Sequence, residues 1–133
     1  METPTKEWDM PLFKWAYEAI DEGKKLIEGR APDFAKPERD YSAMKVDDIL
    51  RFWVVRPEDL SRVEPFPDMK YKVSFVHHYP TIKEMLYTEG FKKMIPHANT
   101  IDEAVQTYHT FPGVPERVSK YGICALGLGE RIV

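Results

Sequence analysis

The run Gly23-Lys24-Lys25-Leu26-Ile27-Glu28-Gly29-Arg30 packs two lysines, a carboxylate and an arginine into eight positions. Those side chains can clamp a phosphate, accept from a base edge or move a proton. Read as a strand, its period of two sends Lys24, Leu26, Glu28 and Arg30 to one face and Lys25, Ile27 and Gly29 to the other. A bend at Gly23, which lacks a Cβ, brings Lys25 round toward Glu28 and Arg30 and makes a three-charge site. Lys25 is then a phosphate clamp or a base of depressed pKa, Glu28 a base-edge or water acceptor, and Arg30 a bidentate fork. The residues alone leave a second reading open, a solvated strand edge with scattered charges.

Other polar residues are less productive. His77 and His78 are adjacent, so on a strand they point oppositely and cannot share a metal, and His97 and His109 are separated by a helical stretch. No Cys or His spacing matches a zinc site, so neither metal nor cofactor is expected. His77 and Tyr79, near the end of a strand, are candidates for the edge of a ligand cleft. Trp53 and Tyr79 are also open as stacking platforms, whereas Phe52 and Tyr121 are assigned to the core.

The elements that must position these groups read as follows. Residues 1–9 form a loose lead, from which Trp8 could pack back. Leu12, Phe13, Ala16, Tyr17 and Ile20 recur at helical spacing between Pro11 and Glu22, and Gly23 stops that helix. The Gly23–Arg30 strand follows, then a loop over 31–44. An Asp-containing turn at Lys45–Asp48 leads into a second strand through Val55, and a segment with three prolines separates it from a third strand, Tyr71 to His78. Thr81 with Glu84 and Thr100 with Glu103 have capping-box spacing and open two helices. Tyr121 to Leu128 is the last strand. Helices against a small curved sheet make an α+β domain, spanning 10–133 as one unit.

The chain's 133 residues are about one domain's worth, and 43% hydrophobic residues with three Trp and seven Tyr can build a core. A net charge of −3 argues against coating nucleic acid by bulk electrostatics but leaves room for a local basic pocket. Cys124, the single cysteine, lies in an apolar run and is expected to be a small buried thiol. With no signal-like or membrane-spanning stretch, the expectation is a soluble cytoplasmic protein with no membrane partner, the nucleus being left open.

These stretches resemble the ASCH domain (activating signal cointegrator homology), a relative of the PUA-like β-barrels. The 23–30 run is similar to the family's G-x-K-x-[IV]-E-x-R. Lys45-Val46-Asp47-Asp48-Ile49-Leu50-Arg51-Phe52 looks like its V-G-D-x-[IL]-x-F, with Asp47 where the family has Gly. Tyr79 to Leu86 through Gly90, and Phe111-Pro112-Gly113 with Lys120-Tyr121-Gly122, match in order. The resemblance covers roughly Leu12 to Leu128. It implies a small PUA-like β-barrel of about five to six strands with flanking helices, and a cleft beside the first strand where RNA or a small nucleotide or nucleoside sits. Family members include inferred RNA-binding modules, ribonucleases and N-acylcytidine amidohydrolases. Lys25 matches a hydrolase lysine, but Glu28 stands at the threonine nucleophile position. The leading expectation is therefore a binding module using Lys25, Glu28, Arg30, His77 and Tyr79. The alternatives are a hydrolase of RNA or N-acylated cytidine with Lys25 and Glu28 as the acid/base pair, and a protein-interaction domain.

Overall fold

The computed structural model describes residues 5–132. Five strands form one curled sheet in the order β1-β3-β4-β5-β2, an α+β half-barrel consistent with the PUA-like fold. They are β1 (Glu7–Leu12), β2 (Ile27–Arg30), β3 (Ile49–Val54), β4 (Met69–Tyr79) and β5 (Ile123–Ile132). The helices are α1 (Lys14–Asp21), α2 (Ile82–Glu89), α3 (Phe91–Met94), α4 (Ile101–His109) and α5 (Val114–Tyr121). Three of the four neighbouring strand pairs run antiparallel; β1 and β3 run parallel, Trp8 beside Leu50 and Leu12 beside Val54.

The N-terminal reading needs correction. Residues 1–4 of the expected lead lie outside the described residues, but Glu7 onward is strand, not loose chain. Trp8, Met10 and Leu12 alternate inward while Glu7, Asp9 and Pro11 face out. Pro11 is tolerated because β1 is an edge strand, where a missing N–H costs no ladder bond. The helix accordingly begins at Lys14 rather than Pro11. Asp48 fixes this edge: its carboxylate accepts from the Lys6 and Lys45 amides and from the Trp8 indole at 3.0–3.1 Å. Asp47 adopts the left-handed φ of 73° that the turn requires.

Two apolar clusters divide the interior. One joins α1 to β1, β3 and β4 around Trp8, Met10, Leu50 and Phe52; the other joins α2, α3 and α4 to β5 around Met85, Leu86, Met94 and Ile123. Trp15 touches both. Thr81 and Thr100 cap α2 and α4 as their spacing predicts, each accepting from the amide three residues on at 3.1 Å. Helices α3 and α5 were not anticipated: Gly90, at φ 95°, lets the chain restart in α3, and Pro115 in the first turn of α5 is where a helix accepts proline. Tyr121, expected in the core, is only half-buried at the end of α5 against Phe34, whereas Phe52 is fully buried. Cys124 is buried, which pushes its thiol up to about 11. No helix among the described residues is long and apolar enough to cross a membrane.

Candidate functional site

The strand carrying the site charges is shorter than its sequence suggests. Gly23, at φ 77°, turns the chain out of α1, and the Lys24 and Lys25 amides both donate to the Ala19 carbonyl, so pairing with β5 starts only at Ile27. This turn is the bend that frees Lys25 from strand alternation. Its ammonium reaches Glu28 Oε1 at 3.2 Å and donates to the Ile27 and Met94 carbonyls at 2.8 and 2.6 Å. All three ammonium hydrogens have acceptors. Arg30 closes on the other carboxylate oxygen, Nε at 3.0 Å and Nη2 at 2.9 Å, and Nη2 also donates to the Pro11 carbonyl at 2.7 Å.

Burial decides how these charges behave. The side chains of Lys25 and Glu28 are 1% and 7% exposed, and that of Arg30 is 21% exposed. Desolvation works against the ionised Glu28, but the Lys25 and Arg30 charges beside it prevail and hold its carboxyl below the ordinary range. Desolvation lowers the Lys25 pKa despite the Glu28 charge. Arg30 is raised because Glu28 outweighs its burial. The triad carries one net positive charge, presented through the partly open guanidinium of Arg30.

The triad lies along one side of a half-open cavity of about 730 Å³ between the free edges of β1 and β2. Phe13, Trp15, Phe111 and Tyr108 form an aromatic wall: Phe111 lies nearly parallel to Trp15 at 6.4 Å and meets Phe13 and Tyr108 edge-on at 5.6 Å. Trp53 and the exposed Leu60 supply another part of the rim, and Arg39 and Tyr41 a third, so the segments over 57–69 and 31–44 both border the site. Arg117 of α5 faces it, with Nε on the Ala31 carbonyl at 3.3 Å. At the floor Tyr108 is 2% exposed; its hydroxyl lies against Gly29, with no side-chain partner and at most a weak contact from the Gly29 amide. Burial and the Glu28 charge raise its pKa well above the usual phenol value.

His77 and Tyr79 do not join this site. They line no part of the cavity; His77 Nδ1 lies 2.6 Å from Glu89 Oε2, and the Tyr79 hydroxyl donates to the same oxygen. Burial and Glu89 raise Tyr79 to about 12. The register of β4 against β5 sets the reason, since residues 75–79 lie opposite Ile123–Gly127, next to α2 and away from the free edges. Tyr108, Arg39, Arg117 and Tyr41 were missed in the sequence. They come from a helix, a 3-10 turn, another helix and a second 3-10 turn, where no local period points to a shared cleft. Among the described residues no group of three or more His, Cys, Asp or Glu could hold a metal.

No family model matches the sequence, and no curated protein matches it. Solved structures do. The hypothetical protein PH0355 is 32% identical over 95% of this chain and 99% of its own, with a TM-score of 0.73. The chain belongs to the family of PH0355. Protein PF0455 from Pyrococcus furiosus is 29% identical over 92% and 96% of the two chains, at a TM-score of 0.64. A mutant form of ZmASCH from Zymomonas mobilis is 15% identical over 94% of this chain and 68% of its own, at 0.55. The fold is therefore the ASCH fold, as the ordered motifs implied. In this ASCH-like module the Gly23–Arg30 motif forms the wall of the cleft where the two sheet edges fail to meet.

Proposed function

We propose that this small ASCH-like module binds RNA or a nucleotide in the cleft between β1 and β2. The observation that carries this reading is one cavity lined by Arg39 and Arg117, neither in an ion pair among the described residues, by Arg30, whose triad keeps one net positive charge, and by an aromatic wall. Guanidinium forks suit phosphate oxygens, and aromatic faces suit bases. The charge is local in a chain of net charge −3, which favours a short ligand segment over wide phosphate tracking.

The hydrolase reading, with Lys25 and Glu28 as acid and base, has less support. A general base needs a free lone pair within reach of substrate. Lys25 is surrounded by acceptors, and both Glu28 oxygens already face cations. These two residues act more simply as the support that aims Arg30.

Tryptophan fluorescence is the direct test, because Trp15 and Trp53 both line the cavity. Titrating short single-stranded RNA and nucleoside monophosphates into the protein should change emission saturably, and Arg30→Ala should weaken the response about tenfold or more. A flat titration with every probe, or equal affinity in wild type and Arg30→Ala, refutes the reading.

A further inference from the structure

We infer that the occupant of the cleft is a free nucleotide bearing a terminal phosphate monoester, its phosphate held between Arg39 and Arg117 and its nucleoside lying along the wall of Phe111 and Trp15. This rests on the nucleotide-binding reading above and narrows it from RNA in general to one end-group chemistry.

The charges of the cavity wall sort into engaged and free. Glu7 is engaged by Arg51 and Lys70, Asp9 by Arg51, and Glu28 by Lys25 and Arg30. Glu38, the remaining carboxylate of the lining, is exposed on the rim. Arg39 and Arg117 make no ion pair among the described residues, although both are only part-exposed. They are near enough to repel: burial and then the Arg39 charge hold Arg117 below the usual arginine range, outweighing the Asp33 carboxylate, which forms no salt bridge with it. Two unpaired guanidiniums beside a third in Arg30 call for more than one negative charge. A phosphate monoester carries about −1.5 to −2 at pH 7 and offers three acceptor oxygens, while an internal RNA diester brings a single charge.

The aromatic wall of the same cavity supplies the second observation. Phe111 and Trp15 line it together with their rings nearly parallel, and such faces offer a base a flat surface on which to stack. The volume agrees with a small molecule, since about 730 Å³ falls inside the roughly 300–1,000 Å³ of small-ligand sites.

The test compares three kinds of probe on the full chain by calorimetry: the four nucleoside 5′-monophosphates, the same monophosphates as methyl esters, and a single-stranded hexanucleotide RNA with hydroxyl ends. At least one monophosphate should bind about tenfold or more tighter than its methyl ester and than the hexamer. That preference should vanish in Arg39→Gln and in Arg117→Gln, each with its fold intact by circular dichroism. The wild-type comparison alone decides the matter if a variant fails to fold. Tighter binding of the hexamer, or equal binding of ester and monoester, overturns the inference while leaving nucleic-acid binding standing. No binding of any probe removes both.

Discussion

Arg30 on β2 donates through Nη2 to the carbonyl of Pro11 on β1 at 2.7 Å, joining by a side chain two sheet edges that the backbone leaves apart. The same guanidinium grips Glu28, which Lys25 holds from inside. The mouth of the cleft is thus tied to a buried ion triad. Replacing Arg30 by Lys keeps a charge but loses the planar fork that serves two acceptors. Chemical denaturation of Arg30→Lys should show a loss of about 1–3 kcal/mol; an unchanged midpoint would mean the Pro11 tie is not made in solution.

Glu28→Gln should be far more costly. It leaves the enclosed Lys25 ammonium and the Arg30 guanidinium without their shared anion, and breaking a buried pair this way costs about 3–5 kcal/mol. Lys25→Met with Glu28→Gln should recover part of the loss, because the uncompensated interior charge goes too. Urea midpoints of the single and double variants measure the coupling.

Acid should find the same weak point. Glu28 has a folded pKa below its unfolded value, so its contribution is complete above about pH 4.3, the unfolded carboxyl value, and drains away as pH falls through the lower folded value. The melting-temperature gap between wild type and Glu28→Gln should therefore narrow on going below about pH 4. A gap that stays constant down to the acid limit would show that ionised Glu28 is not what stabilises the site. Asp48, depressed by hydrogen bonds from Lys45, Lys6 and Trp8 that overcome its burial, loses its contribution in the same direction but survives in both proteins.

Tyr108→Phe should test how the floor of the cleft is held. The hydroxyl has no side-chain partner and at most a weak Gly29 amide contact, so its removal should change stability by no more than about 1 kcal/mol. A clear drop in melting temperature would reveal a partner within the protein.

Gly29→Ala tests how tightly the floor is packed. A Cβ there would run into the Tyr108 hydroxyl, with the ring carbon Cζ only 2.8 Å away. The variant should lose about 1–3 kcal/mol by overpacking, and Tyr108→Phe should relieve only a fraction, since the ring itself is in the way. Additive losses in the double variant would place the two side chains out of contact.

The part of the site that follows from local rules was legible. Glu28 and Arg30 share a face because strand period is two, Lys25 joins them because Gly23 permits a bend, and Thr81 and Thr100 cap helices through contacts three residues long. Trp8, Met10 and Leu12 also alternate, but Leu12 and Pro11 were absorbed into the helical spacing that follows. Only the parallel partner β3 makes that alternation a strand.

The sequence by itself determined the charged motif, the α+β character and the ASCH resemblance, since each is written in neighbours along the chain. Tertiary structure alone decided which charges are neutralised and which remain free. Arg51 is 42 positions from Asp9 and engages it, while Arg39 and Arg117 come together at a cleft with no carboxylate bridging them. His77 and Tyr79 were turned to Glu89 by strand register for the same reason. Charge pairing acts through space, over a few ångströms, and chain separation carries no record of it.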